Sequence, residues 1–146
     1  MILSQIESLA NFVRKSSNQE GTKIIDVYKV ADYVYGLKIV PCFATDSDSY
    51  DETVNVLQIL PYPYKEERMK VAYYIFKIFL SGKGFNGWLD AQDALEAWRF
   101  VSALLMKKSD FLKACEEGKS NEELAEEFSV PVSLIYIRKK MFKMEL

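Results

Sequence analysis

The sequence predicts a mostly helical α+β domain with a small, mixed sheet. Three observations carry this expectation. Apolar residues recur at helical spacing through most of the chain. Only two short runs, Leu37 to Val40 and Val54 to Leu60, have the length and side chains of strands. Gly36, Asp90, Gly118, Ser120 and Pro131 stand where helices should begin or stop. With 146 residues, of which 49% are apolar and 27% charged, the chain can bury one core and falls outside the disordered compositions.

Each element follows in order. Ile2, Ile6, Leu9, Ala10 and Val13 share one face, which predicts a helix over 3–15. Ser16 to Lys23 is a polar loop. Asp26 is placed to cap a second helix carrying Val27, Val30, Ala31 and Val34, and Gly36 suits a left-handed C-terminal cap. Between the two strand-like runs lies the acidic stretch 46–52. A calcium loop needs oxygen ligands at alternate positions, then Gly and a distal Glu. Counted from Asp46, the sixth position is Asp51 and the twelfth is Leu57, so the stretch reads as a solvated turn.

Pro61-Tyr62-Pro63 precedes a helix expected over 66–81, apolar on all sides between Val71 and Leu80 and hence central. The glycines of residues 82–87 make a loop. Asp90 then opens a long helix reaching Lys107, with Ala94, Leu95, Trp98, Val101, Leu105 and Met106 as its core stripe and Lys107 and Lys108 complementing its dipole. A short helix should span 110–117. Ser120 and Glu123 have capping-box spacing for a helix through Phe128, and Pro131 fits the first turn of a final helix ending near Phe142. The expected organisation is a main unit over 1–118 with a helical hairpin, 119–146, packed on it as one compact whole.

Composition removes whole classes of function. The chain has no histidine, so no Ser-His-Asp triad, Cys-His pair or imidazole metal site can form. A net charge of −2 argues against a surface dominated by phosphate binding. Cys42 and Cys115 are isolated thiols, which suits a reducing cytoplasm, and the N-terminus with Glu7 lacks the signature of a signal peptide. The longest apolar run is too short to span a bilayer.

Four segments, in order, resemble the ImmA/IrrE family of metallopeptidases and repressor-cleaving proteases. Residues 25–39 are similar to its opening helix and strand. Arg68-Met69-Lys70-Val71-Ala72 resembles the approach to its HExxH helix. Residues 97–106 resemble its "A-N-x-F-A-x-x-L-L-M" segment, and residues 124–138 its closing "L-A-x-x-F-x-V" pattern. The resemblance implies a zincin-like metallopeptidase scaffold with helix-turn-helix-like helices at its C-terminus. The zinc chemistry is missing from it. HExxH places two imidazoles on one helix face around a general base, yet the matching residues are Tyr73-Tyr74-Ile75-Phe76-Lys77, and the family's third ligand falls on Ala94.

The chain is thus identified as a degenerate, non-catalytic member with no metal and no cofactor. Tyr73, Tyr74 and Lys77 are expected to fill core, with Lys77 either snorkelling to water or pairing with Asp93 or Glu96. Tyr73, Tyr74 and Trp98 are candidates for a protein interface at the former cleft, or for its plug. By the same analogy, a dead relative would bind a protein partner, such as a helix-turn-helix repressor of a phage or mobile element, as a regulator. The alternative is DNA binding by the last helix through Arg138, Lys139, Lys140 and Lys143. Glu122, Glu123, Glu126 and Glu127 on the preceding helix oppose that reading by repelling phosphates.

Overall fold

A computed structural model describes residues 1–145. Along them run helix α1 (Leu3–Ser16), helix α2 (Val27–Tyr35), strand β1 (Lys38–Pro41), strand β2 (Ser49–Asp51), strand β3 (Val56–Ile59) and helix α3 (Tyr64–Ile75). A π-helical segment (Phe76–Leu80) follows, then helices α4 (Ala91–Leu105), α5 (Lys108–Glu116), α6 (Asn121–Phe128) and α7 (Val132–Met141). The mixed α+β class is as expected. None of the helices among the described residues is long and apolar enough to cross a membrane.

Local chemistry sets most boundaries. The Asp26 carboxylate accepts hydrogen bonds from the Tyr28 and Lys29 N–H groups at 2.9 and 3.2 Å, satisfying two orphan donors at the start of α2. Gly36 closes the same helix at φ 62°, a conformation that a Cβ disfavours. Asp90 caps α4 through the Asp93 N–H at 2.8 Å. Ser120 and Glu123 form the reciprocal capping box of α6.

Four expectations are corrected. The acidic stretch is no plain solvated turn, because Ser49–Asp51 pairs antiparallel with β3 as β2. The apolar helix does not run evenly to residue 81. Its ladder widens to π geometry at Phe76, and Tyr73, Tyr74 and residues 77–80 are only half-buried. The long helix stops at Leu105. Lys107 and Lys108 therefore begin α5 and do not complete the α4 dipole, and Leu95, expected in the α4 core stripe, is exposed. Pro131 stands one residue before α7 as its N-cap.

The sheet has the order β1-β3-β2, with β1 parallel and β2 antiparallel to the central β3. Leu57 and Ile59 turn inward to the helical layer. The core centres on α4, whose Ala97, Phe100, Val101, Leu104 and Leu105 are fully buried as it packs against α1, α3 and α7. Arg68 of α3 is almost fully buried. Its guanidinium donates to the carbonyls of Phe128 (2.9 Å), Ser129 (2.6 Å) and Ile25 (3.0 Å), tying the end of α6 to the body of the molecule. Within 119–145, α7 packs on α6 and on α4, and Leu146 lies outside the described residues.

Candidate functional site

α3 and α4 pack together, and their contact joins Tyr73 of α3 to Trp98 of α4. Successive residues on a helix point about 100° apart, so Tyr73 and Tyr74 serve different neighbours. The Tyr73 ring stacks on Trp98 of α4, with centroids 4.8 Å apart and planes 19° apart. Ala94 lies one turn before Trp98 on α4. Tyr74 meets Tyr73 edge-on at 5.7 Å and Phe85 at 5.3 Å. Aromatic pairs in this range attract beyond their buried area, by about 0.5–1.5 kcal/mol each. The contact between α3 and α4 is filled by rings.

The Tyr74 hydroxyl donates to Oδ2 of Asp48, which also accepts from the Tyr62 hydroxyl at 2.7 Å, while Oδ1 accepts from the Leu60 N–H at 2.8 Å. Lys70 stands 5.3 Å from the centre of the Tyr62 ring. Burial raises the Asp48 carboxyl, but the bonds from Tyr62, Tyr74 and Leu60 outweigh it and hold its pKa below the usual value. Desolvation, then the bond to Asp48, pushes Tyr62 up to about 12, and the same causes push Tyr74 further up. At neutral pH the carboxylate is ionised with its acceptors in use, and both phenols keep their protons. This arrangement latches the loop before β2 to α3, and it offers neither a free base nor a nucleophile. Asp48 and Tyr62 were missed by sequence reasoning, because residues 14 and 26 apart that converge only through the sheet leave no local pattern.

Lys77 pairs with neither proposed carboxylate. Its ammonium sits 5.6 Å from the centre of the Phe85 ring, where a cation is attracted to the π face. Asp93 instead faces Lys83 at 3.9 Å, and Glu96 binds the N-terminal ammonium of Met1. Lys77 lies within the π-helical turn Phe76–Leu80, a departure from regular spacing that helical counting does not anticipate. Among the described residues no group of three or more Cys, Asp or Glu side chains gathers as a metal-ligand set.

The last helix divides the expected nucleic-acid contacts. Arg138 is removed from them, because its side chain is fully buried. It donates to Glu7 of α1, with one bond at 2.9 Å, and through Nε to the Met106 carbonyl at 3.1 Å. Lys139 is half-buried, whereas Lys140 and Lys143 are exposed. Glu122, Glu123 and Glu126 line the outer face of α6, and Glu127 pairs with Lys23 and Lys119. The guanidinium is thus an internal strut between the first and last helices. α7 carries the i, i+3 and i+4 spacing of a packing face, and Arg138 falls on it.

No protein-family model matches the chain, and no curated relative does. Among solved structures, the fold is similar to that of a Mycobacterium tuberculosis transcriptional regulator, with a TM-score of 0.75 and 13% identity over 97% of this chain. The match takes in 48% of that protein, so this chain spans about half of its length.

Proposed function

We propose that this protein is a non-catalytic regulatory module in transcriptional control, acting by binding another protein. The observation that carries the reading is the shared fold: nearly the whole chain superimposes on half of a longer protein, a transcriptional regulator. The ring-filled crossing supports the non-catalytic part of the reading. A degenerate member of the ImmA/IrrE family would look like this, with Tyr73, Tyr74 and Lys77 in place of the ligands and base and Ala94 in place of the third ligand. A helix-turn-helix repressor, the natural counterpart of that family, is the partner class to test.

Co-expression with helix-turn-helix repressors encoded beside it, followed by size-exclusion chromatography, tests the reading. A stable complex that leaves the repressor uncut supports it. Cleavage of the repressor, or stoichiometric zinc in the purified protein by elemental analysis, overturns it.

Direct DNA binding is the second reading, favoured by the same likeness to a transcriptional regulator and by the exposed Lys140 and Lys143. A gel shift at low salt separates it from the first. Retardation of one DNA sequence that is lost on reversing Lys139, Lys140 and Lys143 to Glu would establish it. The buried Arg138 and the acidic face of α6 argue for no shift.

A further inference from the structure

The two edges of the sheet are finished differently, and β1 is the open one. Hydrogen bonds to β3 leave from alternate residues: the Lys38 N–H donates to Asn55 at 3.1 Å and the Cys42 N–H to Ile59 at 2.8 Å. By that alternation the backbone groups of Leu37, Ile39 and Pro41 face away from the sheet. The Leu37 N–H is spent on the Ala31 carbonyl at 2.9 Å, and Pro41 has none. The free edge therefore offers three carbonyls and a single N–H, that of Ile39, with no partner among the described residues.

Beside this edge runs a groove of about 480 Å³ against α2, lined by Tyr28, Asp32, Tyr33, Leu37 and Ile39 among others. A second hollow of about 400 Å³ shares Tyr28 and Ile39 and continues past Phe43. Tyr33 is 60% and Phe43 78% exposed, large rings left in water at the rim. Ile39 pairs with Leu57, so its side chain lies on the helical face of the sheet, the side on which the groove opens. A residue paired with Ile39 from outside would point its side chain the same way.

We propose that the free edge of β1 takes an extended peptide of a partner protein as a fourth strand, with a bulky apolar side chain seated beside Tyr28 and Tyr33. Strand addition of this kind draws affinity from backbone hydrogen bonds and selectivity from pockets for alternate side chains. The donor count selects the occupant. Two copies of this edge would bring two N–H groups to six carbonyls, leaving most without donors. A peptide without proline at its inward positions supplies an N–H opposite each carbonyl. Pro41 stops the ladder at its far end, limiting the added strand to about five residues and blunting the edge against open-ended pairing. The proposal names a surface for the protein-binding reading above and rests on it.

Selection of short random peptides displayed against the intact protein, then titration of the best one into isotope-labelled protein, tests it. The expected result is peptides with a large apolar residue flanked by non-prolines, and the largest amide shift at Ile39. Ile39→Pro removes an N–H that the fold does not use, together with a side chain partly packed on the core, and Tyr33→Ala trims an exposed wall. Each should weaken binding about tenfold or more, whereas Phe12→Ala, at an exposed α1 position outside the groove lining, should not. Should Ile39→Pro fail to fold, Tyr33→Ala decides. Peptides that bind both variants like the unaltered chain, shifts centred elsewhere, or the absence of any binder overturn the proposal. So does a homodimer that Ile39→Pro dissolves. A repressor complex that survives both variants would retire this edge and leave the regulatory reading standing.

Discussion

The sheet ends in two ways. At β2 the strand is followed inward by Tyr50, Tyr74 and Phe85, and the preceding loop is bound through Asp48 to phenols from both sides of Pro63. At β1 the strand stops at a proline, its outward carbonyls and the Ile39 N–H have no partner among the described residues, and Tyr33 and Phe43 stand in solvent. The difference comes from side chains. Aromatic rings with hydroxyls can fill space and satisfy a carboxylate at once. The residues beside β1 close nothing. Alterations at the first edge should therefore cost stability, and alterations at the second should cost binding.

A large effect, second only to that of Arg138 below, sharpens that contrast by removing a ring. Trp98→Ala leaves Tyr73 without its stacking partner and should cost about 3 kcal/mol, toward the low end for such truncations because the ring is only half-buried. Urea unfolding reads it directly, and a loss under about 0.5 kcal/mol, the range of ordinary surface changes, would mean that the crossing is not a stability element. Asp48→Ala comes next. It strands two phenols and the Leu60 N–H, and should cost about 2 kcal/mol with the α3–α4 contact intact.

Acid should loosen the same latch. The folded pKa of Asp48 lies below its unfolded value of about 3.9. Its contribution is therefore complete above that value and fades as pH falls through the lower, folded one. Unfolding measured from neutral pH downward should show a loss in this acid range that Asp48→Asn abolishes. The smallest effect belongs to the open edge: Tyr33→Ala should change stability by no more than about 0.5 kcal/mol. A larger loss would show that β1 is closed by packing after all.

The hairpin supplies a further contrast, between a charge that is structural and charges that are free. Arg138→Ala should cost about 3–5 kcal/mol, because it breaks a buried pair and exposes Glu7 to an unoccupied space. Lys140→Ala and Lys143→Ala, both at exposed sites, should fall within about 0.5 kcal/mol.

Much of the fold was legible because its signals are local. Asp26, Gly36, Asp90 and Ser120 act on residues about a turn away, so both ends of α2 and the starts of α4 and α6 could be read without knowing their neighbours. Strand β2 was not legible. Ser49-Tyr50-Asp51 has poor strand propensity and is ordered by pairing with β3. The site was legible only as an absence. Tyr73, Tyr74 and Lys77 were found by counting, but what they do was not. Lys77 lies over the Phe85 ring from within a π-helical turn that no spacing rule predicts.

By itself, then, the sequence determined the helical content, the caps and the lack of any imidazole, since each depends on residue type or on neighbours a turn away. Tertiary structure alone decided that Asp48 would meet Tyr62 and Tyr74, that Arg138 would be buried against Glu7, 131 residues distant, and that β1 would be left as an edge. Those outcomes depend on which surfaces the packed helices bring together. A one-dimensional pattern carries no distance between residues so far apart.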